Sequence, residues 1–583
     1  MPADAPSPTS LPRVELYDTT LRDGTQGAGI TLSLVDKLRI AQALDDMGFD
    51  YIEGGYPLSN PKDVAFFEEA ARLDLRHARV CAFGMTRRKG IAAADDPGMR
   101  ALVTSKAPVI AIVGKTWDLH VREVLGVTLE ENVAMIRDSV AFCASAEGVE
   151  DVFYDAEHFF DGYRANPAYA LETLRAAVEG GASRLVLCDT NGGSLPAFIA
   201  AATADVGEKV AGGQWPVGAE GAVSTDSTGH RSPVAGHPSL AIHPHNDSGL
   251  AVANALAAVE AGATQVQGTI NGIGERCGNV DLITVAADLK LKMGRDCLTD
   301  DAMPRLRDLS RLVYEQAAMT PFEGQPFVGD HAFAHKGGMH VHAVNKIAHS
   351  YEHVPPESVG NARRVLVSEL SGASNVAATL GAKHGITGDK ALQRRVLERV
   401  QELEHQGYQF EHAEASFELL LHELRGTKPR YWTLDHYRCV ILRRNDEAPA
   451  TEAIVKLTVG DTVEHRVAEG DGPVNALDGA LRKALKDHYP QVERVHLVDY
   501  KVRVVNPTAE SAAKVRVLSE FRVRPTKDEA DGEGEAARPH RFTTLGVDEN
   551  IVNASWQAIA DAFAYHLLEC KAAVGTGSVI RDR

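Results

Sequence analysis

Two histidines that lie two residues apart could bind a metal ion together. His243 and His245 follow the apolar run Leu240-Ala-Ile242 and precede the polar pair Asn246-Asp247. In a β-strand, residues i and i+2 project from the same face, so both imidazoles would point the same way. Two such imidazoles suit a divalent ion such as Zn²⁺ or Mn²⁺. A His-x-His pair by itself is more often a pair of ordinary polar residues, so a metal site requires further ligands from elsewhere in the chain.

Short β-rich runs alternate with helix-length amphipathic segments over the first half of the chain. Such alternation predicts a parallel sheet with buried strands. Eight units in about 280 residues match a (β/α)8 TIM barrel in count and length. An open doubly wound sheet would have fewer strands and a glycine-rich phosphate loop after the first. The predicted strands are Val14–Tyr17, Tyr51–Glu53, Arg79–Phe83, Val109–Val113, Asp151–Tyr154, Arg184–Cys188, Leu240–Ile242 and Gln265–Gly268.

Changes in composition divide the chain into domains. A small, proline-rich tail at residues 1–12 precedes the predicted barrel domain at residues 13–300. A stretch rich in Gly, Ser, Thr and Pro, residues 212–237, is predicted to be an inserted loop at the end of the barrel opposite the site. Residues 301–430 are predicted to form helical linker subdomains. Residues 431–583 alternate in strand character and are predicted to form a separate α+β domain.

This last domain contains an internal repeat. The triplet Val-Asn-Ala occurs at Val474–Ala476 and again at Val552–Ala554, each time beside a predicted helix. The domain is therefore predicted to consist of two related strand–helix halves. Each asparagine is predicted to cap the helix that follows it. The charged segment 525–540 between the halves is predicted to be disordered.

Charge and composition exclude several classes of partner. The formal net charge of −19 argues against nucleic acid or an anionic membrane as a partner of the whole surface. No stretch approaches the ~20 continuous apolar residues of a membrane span. The N-terminal residues lack the apolar core of a signal peptide. The seven cysteines are scattered without a Cys-x-x-Cys pair, which predicts reduced thiols and a cytoplasmic protein.

In a barrel, the side chains that follow the carboxyl ends of the strands face one site. Arg22 and Asp23 follow the first strand, and Asn279 ends the glycine-rich turn after the eighth. A carboxylate from Asp23 and a carbonyl oxygen from Asn279 would join the two histidines around one octahedral ion. Arg22 could stabilise negative charge on a substrate carbonyl oxygen, which suits carbon–carbon bond formation or cleavage beside a ketone. Other polar residues at the strand ends are Asp18, Gln26, Glu53, Tyr56, Asp155, Glu157, His158, Asp189, Thr190, Asn191 and Asn271.

Three segments resemble the signatures of a known enzyme family. They are Asp18-Thr-Thr-Leu-Arg-Asp-Gly-Thr-Gln26, His243-Pro-His-Asn-Asp247 and Asn271-Gly-Ile-Gly-Glu-Arg-Cys-Gly-Asn279. The family is that of the 2-isopropylmalate, homocitrate and citramalate synthases, metal-dependent barrels that condense acetyl-CoA with a 2-oxo acid. The C-terminal repeat is similar to the family's dimerised regulatory domain, which binds a product amino acid. Lyases such as hydroxymethylglutaryl-CoA lyase share the barrel motifs, and the regulatory domain favours the synthases.

The resemblance implies a role for each matching residue. The residues that correspond to ligands of a divalent metal, whether Zn²⁺, Mn²⁺ or Mg²⁺, are Asp23, His243, His245 and Asn279. Arg22 corresponds to the catalytic arginine, which also binds substrate, and Glu157 to the glutamate near the two substrates. Thr190 corresponds to the threonine that holds the carboxylate of the oxo acid.

The Gly337-Gly-Met-His340 segment is similar to the one that carries the family's acetyl-CoA base. His340 is therefore the predicted base, with His335 and His342 as alternatives. A histidine suits this role because the pKa of imidazole lies near neutral pH.

Two further segments, Glu53-Gly-Gly-Tyr-Pro57 and Phe153–Gly162, resemble the citramalate synthase branch, whose substrate is pyruvate and whose product enters isoleucine synthesis. Phe159, Phe160 and Tyr56 are predicted to lie near the site, where they would suit a methyl better than an isopropyl group. The implied effector is isoleucine and the implied assembly a homodimer. The alternatives are a 2-isopropylmalate synthase acting on 2-oxoisovalerate, a homocitrate synthase or an acyl-CoA lyase. A non-catalytic amino-acid-binding protein is the alternative from another class.

Overall fold

The computed structural model describes most of the chain. The described residues are 13–210, 223–225, 231–233, 238–336, 338–365, 389–445, 448–505, 513–524 and 540–576. The predicted tail at residues 1–12 lies outside them, as do most of the predicted insertion and all of the predicted disordered segment except His540. Among the described residues, no helix is long and apolar enough to cross a membrane.

Eight parallel strands close into a barrel, which confirms the predicted fold class. The strands are β1 Glu15–Asp18, β2 Tyr51–Gly55, β3 Arg79–Met85, β4 Val109–Lys115, β5 Asp151–Glu157, β6 Arg184–Asp189, β7 Ser239–Pro244 and β8 Gln265–Gly268. Each strand pairs with the next in sequence, and β8 closes the barrel by pairing with β1. Several strands extend beyond their predicted carboxyl ends because polar residues there still pair, as Lys115 does with Glu157.

Helices pack around the barrel and are α1 Leu34–Met47, α2 Pro61–Ala70, α3 Pro97–Thr104, α4 Leu129–Ala144, α5 Phe159–Ala165, α6 Pro167–Gly180, α7 Pro196–Lys209, α8 Ala251–Glu260, α9 Leu282–Leu291 and α10 Leu306–Gln316. Local sequence explains where several begin. Ser33 and Asp36 form a capping box at the start of α1. Proline occupies the first position of α2, α3, α6 and α7, where its missing N–H costs nothing. Aliphatic side chains between these helices and the strands form the main hydrophobic core.

The predicted insertion is not wholly a loop. Within it, Val223–Thr225 and Arg231–Pro233 pair as two short antiparallel strands. They lie in the chain between α7 and β7, so they enter at the amino end of a barrel strand, opposite the carboxyl-end site.

The described chain forms two compact units. Of the described residues, the barrel unit comprises those up to Phe333 together with Glu352–Arg363, and the second unit comprises those within Ala334–Tyr351 and those from Arg364 onward. Helices α11 Gly338–Lys346, α12 Lys390–His405 and α13 Glu414–Arg425 belong to the second unit. The predicted domain boundaries at residues 300 and 430 follow changes of sequence character and stay predictions.

The C-terminal domain has the predicted internal repeat. Each half has three antiparallel strands followed by a helix. The first half is β9 Thr433–Leu442, β10 Ala450–Val459, β11 Thr462–Gly470 and α14 Pro473–Leu485; the second is β12 Val495–Val504, β13 Val515–Val523, β14 Arg541–Asp548 and α15 Ile551–Thr576. The third strand of each half is poorly marked in the sequence, because charged residues interrupt the apolar alternation of β11 and Thr543, Thr544 and Gly546 interrupt that of β14.

The predicted asparagine caps are wrong. Asn475 lies inside the first turn of α14, whose N-cap is Gly472. Pro473 has a φ angle suited to the first helical position, so the helix begins two residues earlier than the asparagine. Asn553 likewise lies inside α15. There Asn550 precedes the helix, and its Oδ1 accepts a hydrogen bond from Val552 N at 2.8 Å.

Candidate active site

The carboxyl ends of β1 and β7 bring three predicted metal-binding side chains together. Asp23 lies in the loop after β1, His243 lies near the end of β7, and His245 follows that strand directly. Oδ2 of Asp23 is 3.3 Å from Nε2 of His243 and 3.9 Å from Nε2 of His245. All three are buried, and one ligand atom from each lies within 4.8 Å of the other two. Bonds of about 2.0–2.2 Å to one ion place ligand atoms about 3–4.4 Å apart, so these side chains fit a single divalent ion.

Asn279 brings a fourth candidate ligand atom, an amide oxygen, to the same place. Its Oδ1 lies 2.9 Å from Nε2 of His243, and its backbone bridges that of His245. The turn before it depends on glycine: Gly278 has φ +87°, and a Cβ there would lie 1.9 Å from the carbonyl oxygen of Gly272. This close backbone approach directs the Asn279 amide toward the histidines.

A buried glutamine orients His243. Oε1 of Gln267, in β8, lies 3.0 Å from Nδ1 of His243, and the amide of Gln267 donates to Gln265 at 3.3 Å. The imidazole therefore donates from Nδ1, which leaves Nε2, the nitrogen directed at Asp23, as the atom that can bind a metal once it loses its proton. Such support of the second ring nitrogen is usual for metal-binding histidines. Nδ1 of His245 is buried and has no hydrogen-bond partner among the described residues, so this ring is not committed to another protein group.

The ionisation of these groups suits cation binding. Burial alone would raise the pKa of Asp23, but the Arg22 charge and the His243 hydrogen bond hold it well below its usual range. Burial, and next the neighbouring His243, lower the pKa of His245 to about 4, so its ring is neutral at pH 7. Burial lowers the pKa of His243, but the hydrogen bond and charge of Asp23 outweigh it and raise the pKa overall. Binding of a cation requires this proton to leave.

Arg22 lies beside the cluster and is fixed on three sides. Its Nε donates to Oε2 of Glu53 at 2.6 Å, and its Nη1 lies 3.1 Å from Oδ2 of Asp23. The guanidinium carbon lies 3.9 Å from the centre of the Phe83 ring. Nη2 makes no hydrogen bond within the part of the chain that the structure describes. Arg22 therefore presents free donors next to the candidate metal site.

Glu53, in β2, holds Arg22 and the loop after β1 in place from inside the barrel. It is fully buried and also accepts hydrogen bonds from the Tyr17 hydroxyl at 3.0 Å and from Oγ1 of Thr19. Oγ1 of Thr19 in turn accepts from the backbone N–H of Asp23 at 3.3 Å. One carboxylate thus links the loop after β1 to the barrel interior.

Thr190 and Glu157 lie at the ends of the neighbouring strands β6 and β5. Oγ1 of Thr190 accepts a hydrogen bond from the backbone N–H of His158 at 2.8 Å, so its own hydroxyl proton remains available. Nη2 of Arg276, in the glycine-rich turn, donates to the Thr190 carbonyl at 2.7 Å. Glu157 forms an ion pair with Lys115.

Comparison with known proteins agrees with this geometry. Residues 13–218 and 232–313 match the HMGL-like family, 327–408 the homocitrate synthase post-HMGL domain-like family, and 411–567 the LeuA allosteric (dimerisation) domain. An (R)-citramalate synthase of Geobacter sulfurreducens is 46% identical over 95% of this chain and 97% of its own length. One from Aquifex aeolicus is 44% identical over 96% and 98%. A 2-isopropylmalate synthase of Methanocaldococcus jannaschii is 29% identical over 94% of each chain.

The chain belongs to the citramalate synthase and 2-isopropylmalate synthase family. The predicted family is thereby confirmed, and the chain is a metal-dependent transferase of the HMGL-like group. The unmatched residues 219–231 of the HMGL-like region fall inside the predicted insertion. The buried Asp23, His243 and His245 are compatible with the family's use of a divalent metal.

The predicted base of this family member lies outside the barrel unit. His340 belongs to the second unit, where its side chain is exposed and its ring centre lies 4.5 Å from that of Tyr351. Its role stays a prediction. Of the alternatives, His335 is half-buried, and the side chain of His342 lies outside the described residues.

The prediction that Phe159 and Phe160 lie near the substrate is wrong. Both are fully buried, and their ring centres lie 5.5 Å from Tyr163 and 6.2 Å from Phe198, respectively. They pack into the hydrophobic layer outside the strands. The reason is local: His158 adopts φ +54°, a left-handed conformation that turns the chain into α5 and directs the next two side chains outward. Tyr56 is half-buried, and a Cβ on Gly98 of α3 would lie 2.8 Å from its hydroxyl oxygen.

Glu53, Gln267 and Asp155 had no predicted role. Glu53 and Gln267 hold Arg22 and His243. Asp155, in β5, is buried in the same interior, where burial and next the Glu53 charge raise its pKa to about 7. The available signal was a polar residue within an otherwise apolar strand, as in Tyr51–Gly55.

Proposed function

We propose that this chain is an (R)-citramalate synthase, which condenses acetyl-CoA with pyruvate and hydrolyses the thioester to citramalate and CoA. One observation carries the proposal. Five curated (R)-citramalate synthases are 42–46% identical to the chain over at least 95% of its length. Two relatives named as 2-isopropylmalate synthases, one of them as probable, are 29–32% identical.

Asp23, His243, His245 and Asn279 are the proposed ligands of the divalent ion. When bound, this ion polarises the C2 carbonyl of the oxo acid as a Lewis acid. Gln267 and the turn before Asn279 hold two of the four ligands in place. The remaining steps use the chain's own side chains.

Arg22 is proposed to bind the C2 oxygen. Its Nε and Nη1 are held by Glu53 and Asp23, whereas Nη2 is available to donate. Donors fixed in advance at the place where negative charge develops lower the barrier to attack on a carbonyl. The Phe83 ring covers one face of the guanidinium and limits access of water to it.

Thr190 is proposed to donate its hydroxyl proton to the pyruvate carboxylate. The hydrogen bond from His158 N fixes the lone pairs of its oxygen, and Arg276 fixes its backbone. Pyruvate would then be held by its carboxylate at Thr190 and by its ketone at Arg22.

His340 is proposed to remove a proton from the methyl group of acetyl-CoA, with Glu157 near both substrates. The resulting enolate carbon attacks C2, and the C2 oxygen becomes the hydroxyl of citramalyl-CoA. Water then cleaves the thioester. Support for His340 comes from its sequence segment and from the suitability of imidazole as a base near neutral pH.

A free-thiol assay of CoA release tests the substrate. Acetyl-CoA is supplied with pyruvate, 2-oxoisovalerate or 2-oxoglutarate, and pyruvate is expected to give the highest kcat/KM. A higher value with 2-oxoisovalerate would replace this assignment with 2-isopropylmalate synthase. Reactions without an oxo acid serve as the control, and thioester cleavage there would indicate a lyase. Chelation followed by addition of Zn²⁺, Mn²⁺ or Mg²⁺ identifies the metal.

Residues 431–583 are proposed to form the dimer and to bind isoleucine as an inhibitor. The match to the LeuA allosteric (dimerisation) domain supports both roles. Exposed apolar side chains on β9 and β12, which suit burial against a second copy, are Val440, Ile441, Leu442, Leu497, Val498, Val502 and Val504. Deletion of this domain is expected to abolish isoleucine inhibition and to shift the mass in solution from dimer toward monomer. Inhibition that survives the deletion would place the effector site elsewhere.

We also propose a cytoplasmic location. The seven cysteines form no disulfide among the described residues, as expected in a reducing compartment. Fractionation of the native host cell, with an activity assay on each fraction, checks this.

A further inference from the structure

His158 and Asp161 form a hydrogen-bonded pair at the catalytic end of the barrel. Nδ1 of His158 lies 2.9 Å from Oδ2 of Asp161, and the same carboxylate oxygen accepts from the Asn191 amide at 2.9 Å. His158 directly follows Glu157, and its backbone N–H is bonded to Thr190. The pair therefore adjoins two residues that are proposed to contact the substrates.

The orientation of the His158 ring is held from several sides. Its backbone adopts the left-handed conformation, φ +54°, which is uncommon for a residue other than glycine and marks a constrained position. The ring centre lies 4.5 Å from that of His120, edge to face, and 5.8 Å from that of Trp117. These two rings form a wall beside the imidazole. The His158 side chain is 16% exposed, so it is largely buried but still reachable by solvent.

The hydrogen bond to Asp161 determines which ring nitrogen is available. A carboxylate accepts, so the imidazole must donate from Nδ1, which leaves the lone pair on Nε2. Nε2 makes no hydrogen bond within the described part of the chain. An imidazole fixed by a carboxylate at one nitrogen and open at the other is the arrangement that acyl-transfer enzymes use as general base and acid.

The reaction contains one step of that class. The proposed synthase must transfer the citramalyl group from CoA sulfur to water, and this requires a proton to leave water and another to reach the thiolate. Glu157 is paired with Lys115, and His340 is already proposed as the base for enolisation. Within the barrel unit, His158 has the open nitrogen and the supporting carboxylate that this transfer needs.

We infer that His158, held by Asp161, is the general base and acid for hydrolysis of the citramalyl thioester; the inference rests on the proposed function. Nε2 accepts a proton from water as the water oxygen forms a bond to the thioester carbonyl carbon. The carbon–sulfur bond then breaks, and the imidazolium returns its proton to the CoA sulfur. One water is consumed, and the products are the free acid and CoA thiol.

Rapid acid quench of the full-length enzyme tests the assignment. The variant is His158→Asn, because asparagine tolerates the left-handed backbone conformation. Metal-loaded enzyme is mixed with acetyl-CoA and pyruvate; mass spectrometry measures citramalyl-CoA per active site, and a thiol reagent measures released CoA. His158→Asn is expected to form up to one thioester per site while CoA release slows by about 10²- to 10⁴-fold, the usual contribution of a general base. The accumulated thioester also shows that the variant is folded and condenses its substrates.

Two further variants test the role of Asp161 and provide a control. Asp161→Asn is expected to accumulate the thioester as well, because the ring loses the carboxylate that keeps its proton on Nδ1. Asp205→Asn is the matched control, because Asp205 accepts a hydrogen bond from Tyr163 at 2.6 Å on the outer helix α7. It is expected to release CoA at the wild-type rate.

The inference is overturned if His158→Asn releases CoA within threefold of the wild-type rate. It is equally overturned if release slows without any bound thioester, since condensation would then be the affected step. If the wild-type enzyme uses 2-oxoisovalerate in place of pyruvate, the proposed function fails. The same quench experiment with that acid then decides the role of His158 separately.

Discussion

Glu53→Gln tests how Arg22 is held. Glutamine has almost the shape of glutamate, but it is uncharged and replaces one acceptor oxygen with a donor. Oε2 of Glu53 accepts from Arg22 and Thr19, and Oε1 accepts from Tyr17. The Tyr17 hydroxyl can rotate to accept a hydrogen bond, whereas the Nε–H of Arg22 can only donate. The glutamine amide is therefore expected to face Tyr17, so the geometry at Arg22 is retained and the charge is lost.

The loss of this charge is expected to lower kcat/KM. A hydrogen bond to a charged group contributes about 1.5–3 kcal/mol, and at about 1.4 kcal/mol per tenfold this corresponds to a loss of about 10- to 150-fold in kcat/KM. Glu53 is fully buried, so water does not screen the interaction. Without it, Arg22 is drawn toward Asp23, 3.1 Å away, and competes with the metal for that carboxylate. The metal concentration that gives half-maximal activity is therefore expected to rise as well.

The free-thiol assay with acetyl-CoA and pyruvate, repeated over a range of metal concentrations, measures both effects. Glu150→Gln is the matched control: its carboxylate lies 2.7 Å from Nη2 of Arg79, but its side chain is 65% exposed. Exposed ion pairs contribute little, so this variant should keep its kcat/KM within twofold. The reasoning about Glu53 is refuted if Glu53→Gln behaves like this control, because Asp23 and Phe83 would then suffice to hold Arg22.

Four further predictions concern the metal site and the residues that support it. Chelation should abolish activity that added divalent metal restores, and Asp23→Asn should weaken metal binding by at least about 100-fold by titration calorimetry. Gln267→Leu removes the acceptor at Nδ1 of His243, so metal affinity in the same titration should fall by about 10- to 100-fold while the fold, measured by circular dichroism, persists. Gly278→Ala places a Cβ 1.9 Å from the Gly272 carbonyl at φ +87°, so calorimetry should show a lower unfolding temperature and the assay a large loss of activity.

The barrel could be predicted because its strands are buried on both faces and are separated by helices. Continuous apolar runs such as Val109–Val113 then mark strands without help from tertiary structure. The prediction ended strands too early where polar residues begin, because residues such as Asp155 and Glu157 still lie within β5. Strands β11 and β14 of the C-terminal domain are poorly marked, because charged residues interrupt the apolar alternation of β11 and Thr543, Thr544 and Gly546 interrupt that of β14.

The residues proposed to bind the metal could be predicted from their types, and the residues that hold them in place could not. Asp23, His243 and His245 could be predicted as metal ligands from their side-chain chemistry and from their position at the carboxyl ends of strands. Glu53 and Gln267 act only through partners on neighbouring strands, and the β1–β2 and β7–β8 registers decide which partners they meet. The error at Phe159 and Phe160 has a different cause. The positive φ of His158 turns the chain there, and a single histidine is only a weak sequence signal for that conformation.

The two units divide the proposed reaction between them. The barrel unit contains the proposed metal ligands, Arg22, Thr190 and the His158–Asp161 pair, so polarisation of the oxo acid and hydrolysis of the thioester both depend on it. The second unit contains His340 together with the C-terminal domain that is proposed to bind isoleucine. An effector bound there occupies the same compact unit as the proposed enolising base. Inhibition is therefore expected to act on proton removal from acetyl-CoA and to leave metal affinity unchanged.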